Sequence, residues 1–130
     1  VAQLRQKHDF FKSKGVQLIA VGMGRPSDAR AFKQSRNLPF PLLSDSSQKV
    51  YLQYGLGMVN AFQEFQSNSA GALLREASRG NFGGIPVGDV TQLGGTFLID
   101  QQGIARFVHR DRSTSESASI GAVVKAVESL

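Results

Sequence analysis

The stretch Gly94-Gly95-Thr96-Phe97-Leu98-Ile99-Asp100-Gln101-Gln102-Gly103-Ile104-Ala105-Arg106-Phe107-Val108-His109 constrains the fold more than any other part of the chain. Thr96 to Ile99 is a short, uninterrupted apolar run rich in β-branched and aromatic side chains, the pattern of a strand covered on both faces. Asp100 to Gly103 supplies turn chemistry, with Gly103 able to take positive φ, and Ile104 to His109 alternates as a returning strand does. A central strand with a β-hairpin partner is therefore predicted, and the remaining helices and strands are expected to lie against it.

Helical spacing of Val1, Leu4, His8 and Phe11, closed by Lys12, Lys14 and Gly15, predicts a helix over residues 1 to 14. No Ser, Thr, Asp or Asn precedes Val1 to cap it, and the first residue is not Met, so the chain is expected to be cut from a longer one. Val16 to Val21 reads as a strand, Gly22 to Arg25 as a turn, and Pro26 as the first turn of a helix running to Arg36. Asn37, Pro39 and Pro41 end that helix, and Phe40 to Leu43 is a second strand, parallel to the first because a helical crossover joins them.

Asp45 with Gln48 resembles a capping box for a helix through Val50, Tyr51 and Tyr54 that stops at Gly55. Residues 56–92 read as an insertion before the hairpin, with short helices around Phe62, Phe65, Leu73 and Leu74 and a loop from Gly80 to Gly88. After the hairpin, Ser113 and Glu116 suggest another capping box, and Ile120, Val123, Val124 and Val127 form one apolar face of a closing helix.

At 130 residues the chain is one domain, and 41% hydrophobic with 19% charged residues places it among globular proteins. No apolar run approaches the roughly 18 residues of a membrane span, and the opening stretch with Arg5, Lys7 and Asp9 is not signal-like. A cytoplasmic protein without a membrane partner is expected. The net charge of +5 invites a nucleic-acid reading, but the basic residues are spread out and lack an aromatic RNA-binding signature. A solvated basic surface is the expectation, with no nucleic-acid partner. Cysteine is absent, so these residues hold no disulfide, thiolate nucleophile or thiolate metal ligand.

Several side chains merit weighing. Gly22-x-Gly24-x-x-Ser27 resembles a degraded dinucleotide fingerprint, and is read instead as an ordinary strand-to-helix turn. His8 is expected to be a partly buried, hydrogen-bonded core residue. His109, flanked by Arg110 and Arg112, could face an anion, against a solvent-facing strand end balanced by Asp111. Arg30, Lys33 and Arg36 read as a solvated face, and Gly80, Gly83, Gly84 and Gly88 as a loop rather than a phosphate cradle. No cofactor and no metal site is expected.

The segments GVQLIAVGMGRPSDARAFKQSRNLPFPLLSDSSQKVYLQYGL and QLGGTFLIDQQGIARFVHRD resemble the AhpC/TSA-related, peroxiredoxin-like group that includes the peroxiredoxin-like 2 proteins. The resemblance implies an α/β, thioredoxin-like fold: a mixed central sheet with parallel strands and a C-terminal β-hairpin, flanked by helices, in a single domain over residues 1–130 that lacks its N-terminal strand and Cys loop. It also implies thiol redox chemistry at the N-terminus of the first core helix, where backbone N–H groups and the helix dipole stabilise a thiolate. The reactive Cys is expected upstream of Val1, so no catalytic residue can be named within the chain. Gly94, Gly95 and Thr96 are candidates to flank the active site, at the place where thioredoxins carry a cis-proline and typical peroxiredoxins an arginine nearby. Glycines there permit close backbone approach but supply no charge. The parent is expected to reduce peroxides or disulfides with a thiol reductant as partner, and to be a candidate homo-oligomer; the alternative is a non-catalytic thioredoxin-like binding module.

Overall fold

Strand, turn and returning strand form where the hairpin is predicted in the computed structural model, which describes residues 1–59 and 92–130. Strand β3 and β4 below belong to it; in chain order the described elements are α1 (Ala2–Gln6), α2 (His8–Ser13), β1 (Ala20–Gly22), α3 (Pro26–Ser35), β2 (Leu42–Ser44), α4 (Lys49–Gln53), β3 (Gly95–Ile99), β4 (Ala105–Arg110) and α5 (Ile120–Glu128). The α/β class expected from the sequence is present: a parallel pair, an antiparallel hairpin and flanking helices. Among the described residues the two pairs are separate two-stranded sheets. The predicted helices near Phe62 and Leu73 and the loop from Gly80 to Gly88 lie outside the described residues.

The turn of the hairpin is built by Asp100. Its Oδ1 accepts from the N–H groups of Gln102 and Ile104, both at 2.9 Å, and Gly103 sits at φ +80°, where a Cβ would be strained. The pairing then slips, since Leu98 faces Phe107 while Ile99 faces Ala105. The extra residue is Arg106, and its Nε donates to Asp100 Oδ2 at 2.6 Å, so one carboxylate fixes both the turn and the bulge. Alternation puts Leu98 into the main core and Phe97 on the other face, where its ring meets Tyr54 edge-on at 4.7 Å. Both faces of β3 are thus covered at its middle, whereas Ile99 is 45% exposed, which the expectation of a fully covered strand missed.

The main core is Phe11, Leu98, Val123 and Val127, with Leu4, Phe10, Phe107, Ile120 and Val124 around it. It joins the first helical segment, the hairpin and α5. Residues 1 to 14 are not one helix: regular geometry breaks at Lys7, although the Phe11 N–H still reaches the Lys7 carbonyl at 3.1 Å. Val1 is 56% exposed, so the buried stripe begins at Leu4 and ends at the fully enclosed Phe11. For α5, Val123 and Val127 are buried as the spacing predicts, but the cap is Ser119, whose hydroxyl accepts from the Ala122 N–H, and not Ser113.

The first predicted strand is shorter than its apolar run. In register, Ala20 faces Leu42, so continuing backwards would set Ile19 against Pro41 and Gln17 against Pro39. Neither proline has an N–H to give, and the ladder stops at the Ala20 N–H bonded to the Pro41 carbonyl. Strand β2 correspondingly starts at Leu42 instead of Phe40. Pro26 opens α3 as expected, with the Asp28 carboxylate accepting from the Arg25 N–H at 3.1 Å.

Asp45 caps α4, though not through a box with Gln48. That residue takes a left-handed φ of 57° and turns its amide to the Met23 sulfur. The nearly buried Asp45 carboxylate instead accepts from the N–H groups of Lys49, Val50 and Tyr51 at 3.2, 2.8 and 3.2 Å. The Tyr51 hydroxyl then donates to the Val21 carbonyl at 2.9 Å, locking α4 to β1, and burial raises its pKa with Asp45 adding to the effect.

Asp45→Ala leaves the N–H groups of Lys49, Val50 and Tyr51 without their acceptor and is expected to lower stability by about 1 kcal/mol in a urea titration. Asp100 has a different signature. The Ile104 N–H opens the set of bonds, with Arg106 and Gln102, that holds its pKa below 3.8 against an opposing desolvation. A depressed carboxylate stabilises the fold above its unfolded-state value and loses that contribution as pH falls through the folded value. Asp100→Asn should therefore flatten the acid limb of the stability curve below about pH 4, where the native protein's curve falls.

Candidate functional site

The start of β3 and the exit of β4 lie side by side, which places the three candidate residues against a cluster of charge. Thr96 is directly opposite His109, and Gly95 opposite Arg110. Asp111 closes the end of the ladder by donating its N–H to the Gly94 carbonyl at 3.1 Å. A Cβ on Gly94 would stand 3.0 Å from Asp111 Oδ2; one on Gly95 would meet Leu56 Cδ2 at 2.7 Å and the His109 carbonyl at 2.8 Å. Gly95 is thus required by crowding from the hairpin's partner strand and from the segment after α4, whereas a side chain at Gly94 would press only on the Asp111 carboxylate.

On the face shared with Leu98 and Phe107, His109 meets two carboxylates rather than an anion-binding space. Its Nε2 is 3.4 Å from Asp111 Oδ1 and 3.5 Å from Glu116 Oε1. Glu116 is held there because its other oxygen accepts from the Arg112 N–H at 3.1 Å. The Ser113–Glu116 pair read as a helix cap is therefore a loop device, with Glu116 returned towards the strand. Desolvation pushes the Asp111 carboxyl above the usual carboxylate range; nearby His109 opposes this and Glu116 reinforces it.

Arg110 forms no anion site with His109. Alternation sends Arg110 to the opposite face, where Nε donates to the Tyr54 carbonyl at 2.8 Å and the guanidinium lies 5.5 Å from the Phe97 ring centre. Tyr54, Phe97 and Arg110 form a stack that ties the end of α4 to the hairpin, and of the three only Arg110 stands out in the sequence as a candidate for binding. Glu116 was likewise legible only as a cap, because its role depends on a turn within residues 111–119.

Other predicted residues stand apart. His8 is partly buried as expected, its ring 6.2 Å from that of Phe40, and it lines an open cavity of about 430 Å³ with Lys12, Val16, Leu18 and Pro41. At Gly22 to Ser27 the carbonyls of Gly22 and Gly24 accept from the Asp45 N–H and the Ser44 hydroxyl, and the Asp28 carboxylate occupies the mouth of α3. The chain's own carboxylate already caps this helix start, so the turn reading is the one that the geometry favours. Among the described residues no group of three His, Cys, Asp or Glu side chains could hold a metal ion.

The family described as AhpC/TSA antioxidant enzyme matches residues 3–113. Chloroplastic peroxiredoxin Q of Suaeda salsa is 26% identical over 126 residues, covering 97% of this chain and 46% of that protein. Chloroplastic peroxiredoxin Q of Populus jackii is 33% identical over 52 residues, 40% of this chain and 24% of that protein. The chain spans less than half the length of these two relatives.

Gly95→Ala should destabilise the protein by about 1–3 kcal/mol, because the new methyl strikes backbone as well as the Leu56 side chain. The comparison is Gly121→Ala in α5, where nothing lies within 4 Å and helix propensity favours Ala. Thermal unfolding should move in opposite directions for the two variants.

Proposed function

This chain belongs to the AhpC/TSA antioxidant enzyme family, and we propose that the protein it forms part of is a peroxiredoxin-like thiol oxidoreductase that reduces peroxides or disulfides. The family match over residues 3–113 is the observation that carries this reading. The thioredoxin-like arrangement of parallel pair, hairpin and flanking helices is consistent with it.

The chemistry needs a thiolate, and these residues contain no cysteine. In the proposed reaction a thiolate supplied from outside the chain attacks one oxygen of the peroxide; the O–O bond breaks, the sulfur becomes a sulfenic acid, and the other oxygen leaves as an alcohol or water after taking a proton. A second thiol then displaces water from the sulfenic acid to give a disulfide, which a thiol reductant returns to two thiols. The chain's own contribution is the platform. Gly94 and Gly95 let backbone approach closely, and Thr96 offers a hydroxyl at the same end of the sheet. Neither glycine supplies the positive charge that would orient a peroxide and stabilise the charge developing on its leaving oxygen, so a disulfide substrate fits this end as well as a peroxide does.

We place residues 56–92 as an insertion within the single domain; the paired Met58 and Gln92 at its ends support that reading. The edges of β1 and β3 away from their partners have no strand beside them among the described residues, which supports self-association as the route to an oligomer. A cytoplasmic setting, where thiols stay reduced, suits the chemistry. Among the described residues no helix is long and apolar enough to cross a membrane.

The second reading, a thioredoxin-like binding module, is favoured by the cysteine-free composition. A thiol-dependent peroxidase and disulfide-reductase assay separates the two. The 130 residues alone should show no turnover. The longer protein carrying them should turn over, and should lose activity when its cysteine nearest this domain is changed to Ser. Turnover by the 130 residues alone would overturn the prediction that they are inactive by themselves, and a cysteine-free longer protein would overturn the redox reading.

A further inference from the structure

We propose that His109, Asp111 and Glu116 form a proton-sensitive clasp that holds residues 111–119 against the hairpin beside Gly94 and Gly95, closed when the imidazole is charged and loosened when it is neutral. The clasp is independent of the redox reading, since none of its members is a thiol or a residue used in that chemistry.

The geometry requires a proton to be satisfied. His109 Nε2 lies 3.4 Å from Asp111 Oδ1 and 3.5 Å from Glu116 Oε1, and both Nε2 and Oδ1 are sealed from water without a hydrogen-bond partner. An unprotonated Nε2 would direct its lone pair at two carboxylates, and a neutral Nε2–H can serve only one of them. The imidazolium adds a full positive charge between two negative ones and needs only a few tenths of an ångström of closure to reach hydrogen-bond distance. Burial of Asp111, which disfavours its ionised form, acts in the same direction by making its negative charge costly unless a cation faces it.

Among the described residues the charged groups facing His109 are Asp111 at the exit of its own strand and Glu116 from the following loop. Strand β3 presents only Gly94, Gly95 and Thr96 at this end, and Arg110 is turned to Tyr54 on the other face. Arg112 adds a positive charge within the loop while its N–H holds Glu116. The clasp's state is passed on through the Asp111 N–H to the Gly94 carbonyl, and through Glu116 to the loop that leads into α5.

The test follows the melting midpoint of the protein and of His109→Gln, Asp111→Asn and Glu116→Gln from about pH 8 to about pH 5.5. The native protein should gain about 3 °C on His109→Gln as pH falls across that range. Asp111→Asn should raise the midpoint at the upper end, where it removes a buried charge facing a neutral imidazole, and lower it at the acid end, where it removes the cation's partner. Hydrogen exchange at the Asp111 amide supplies a local readout, its protection factor rising on acidification in the native protein and staying level in Glu116→Gln. Should His109→Gln fail to fold, Glu116→Gln carries the same comparison. Midpoint curves that stay parallel, with an Asp111→Asn effect of one sign throughout and unchanged amide protection, would sink the clasp.

Discussion

Burial of one phenylalanine holds the described fold together. Phe11 is completely enclosed, and it brings the first helical segment against Leu98 of the hairpin and Val123 and Val127 of the closing helix. Removing a side chain of that size from a tight core costs about 3–5 kcal/mol, a large part of the net stability of an ordinary domain. The hairpin is a two-stranded unit, which is marginal in water by itself, so its order depends on this contact. Everything at the hairpin's far end, from Gly94 to Asp111, inherits its position from Leu98 and Phe107 being pinned to the helices.

A second constraint works through backbone chemistry instead of burial. Pro39 and Pro41 cut the parallel ladder to three residue pairs, and a ladder that short needs outside fastening. Asp45 provides it from the end of β2. Its N–H reaches the Gly22 carbonyl and its carboxylate collects three N–H groups of α4, after which Tyr51 returns to Val21. Strand, cap and helix are therefore one hydrogen-bonded unit, held by a side chain that the sequence shows as a single acidic residue.

How much of this can be read from the residues follows from the range of the forces involved. The turn at Asp100 to Gly103, the start of α3 at Pro26 and the buried face of α5 were legible because each is decided within a few positions. The crossover also predicts the parallel pairing correctly. What the sequence hides is competition between neighbours for the same partner. Ser113 and Ser119 both precede the closing helix, and only the path of residues 111–119 decides that Ser119 caps it while Glu116 folds back to His109. The length of β1 was illegible for a similar reason, since the prolines that truncate it lie about twenty positions downstream in the partner strand. At the candidate site, the glycines were visible but the crowding that requires Gly95 was not, because Leu56 and His109 reach it from two other segments.

The same site shows why net charge is a poor guide to local chemistry. The chain carries +5 overall, and His109 is followed in sequence by Arg110 and Arg112, yet its side chain faces two carboxylates. Strand alternation explains the inversion. Arg110 must point to the opposite face from His109, and there its guanidinium is spent on the Tyr54 carbonyl and the Phe97 ring. Asp111 is then drawn in by its own N–H bond to Gly94, and Gly94 can accept that approach because it has no Cβ. The glycines and the acidic surroundings of the histidine are therefore parts of one arrangement, and any chemistry at this end of the sheet works in a field set by Asp111 and Glu116.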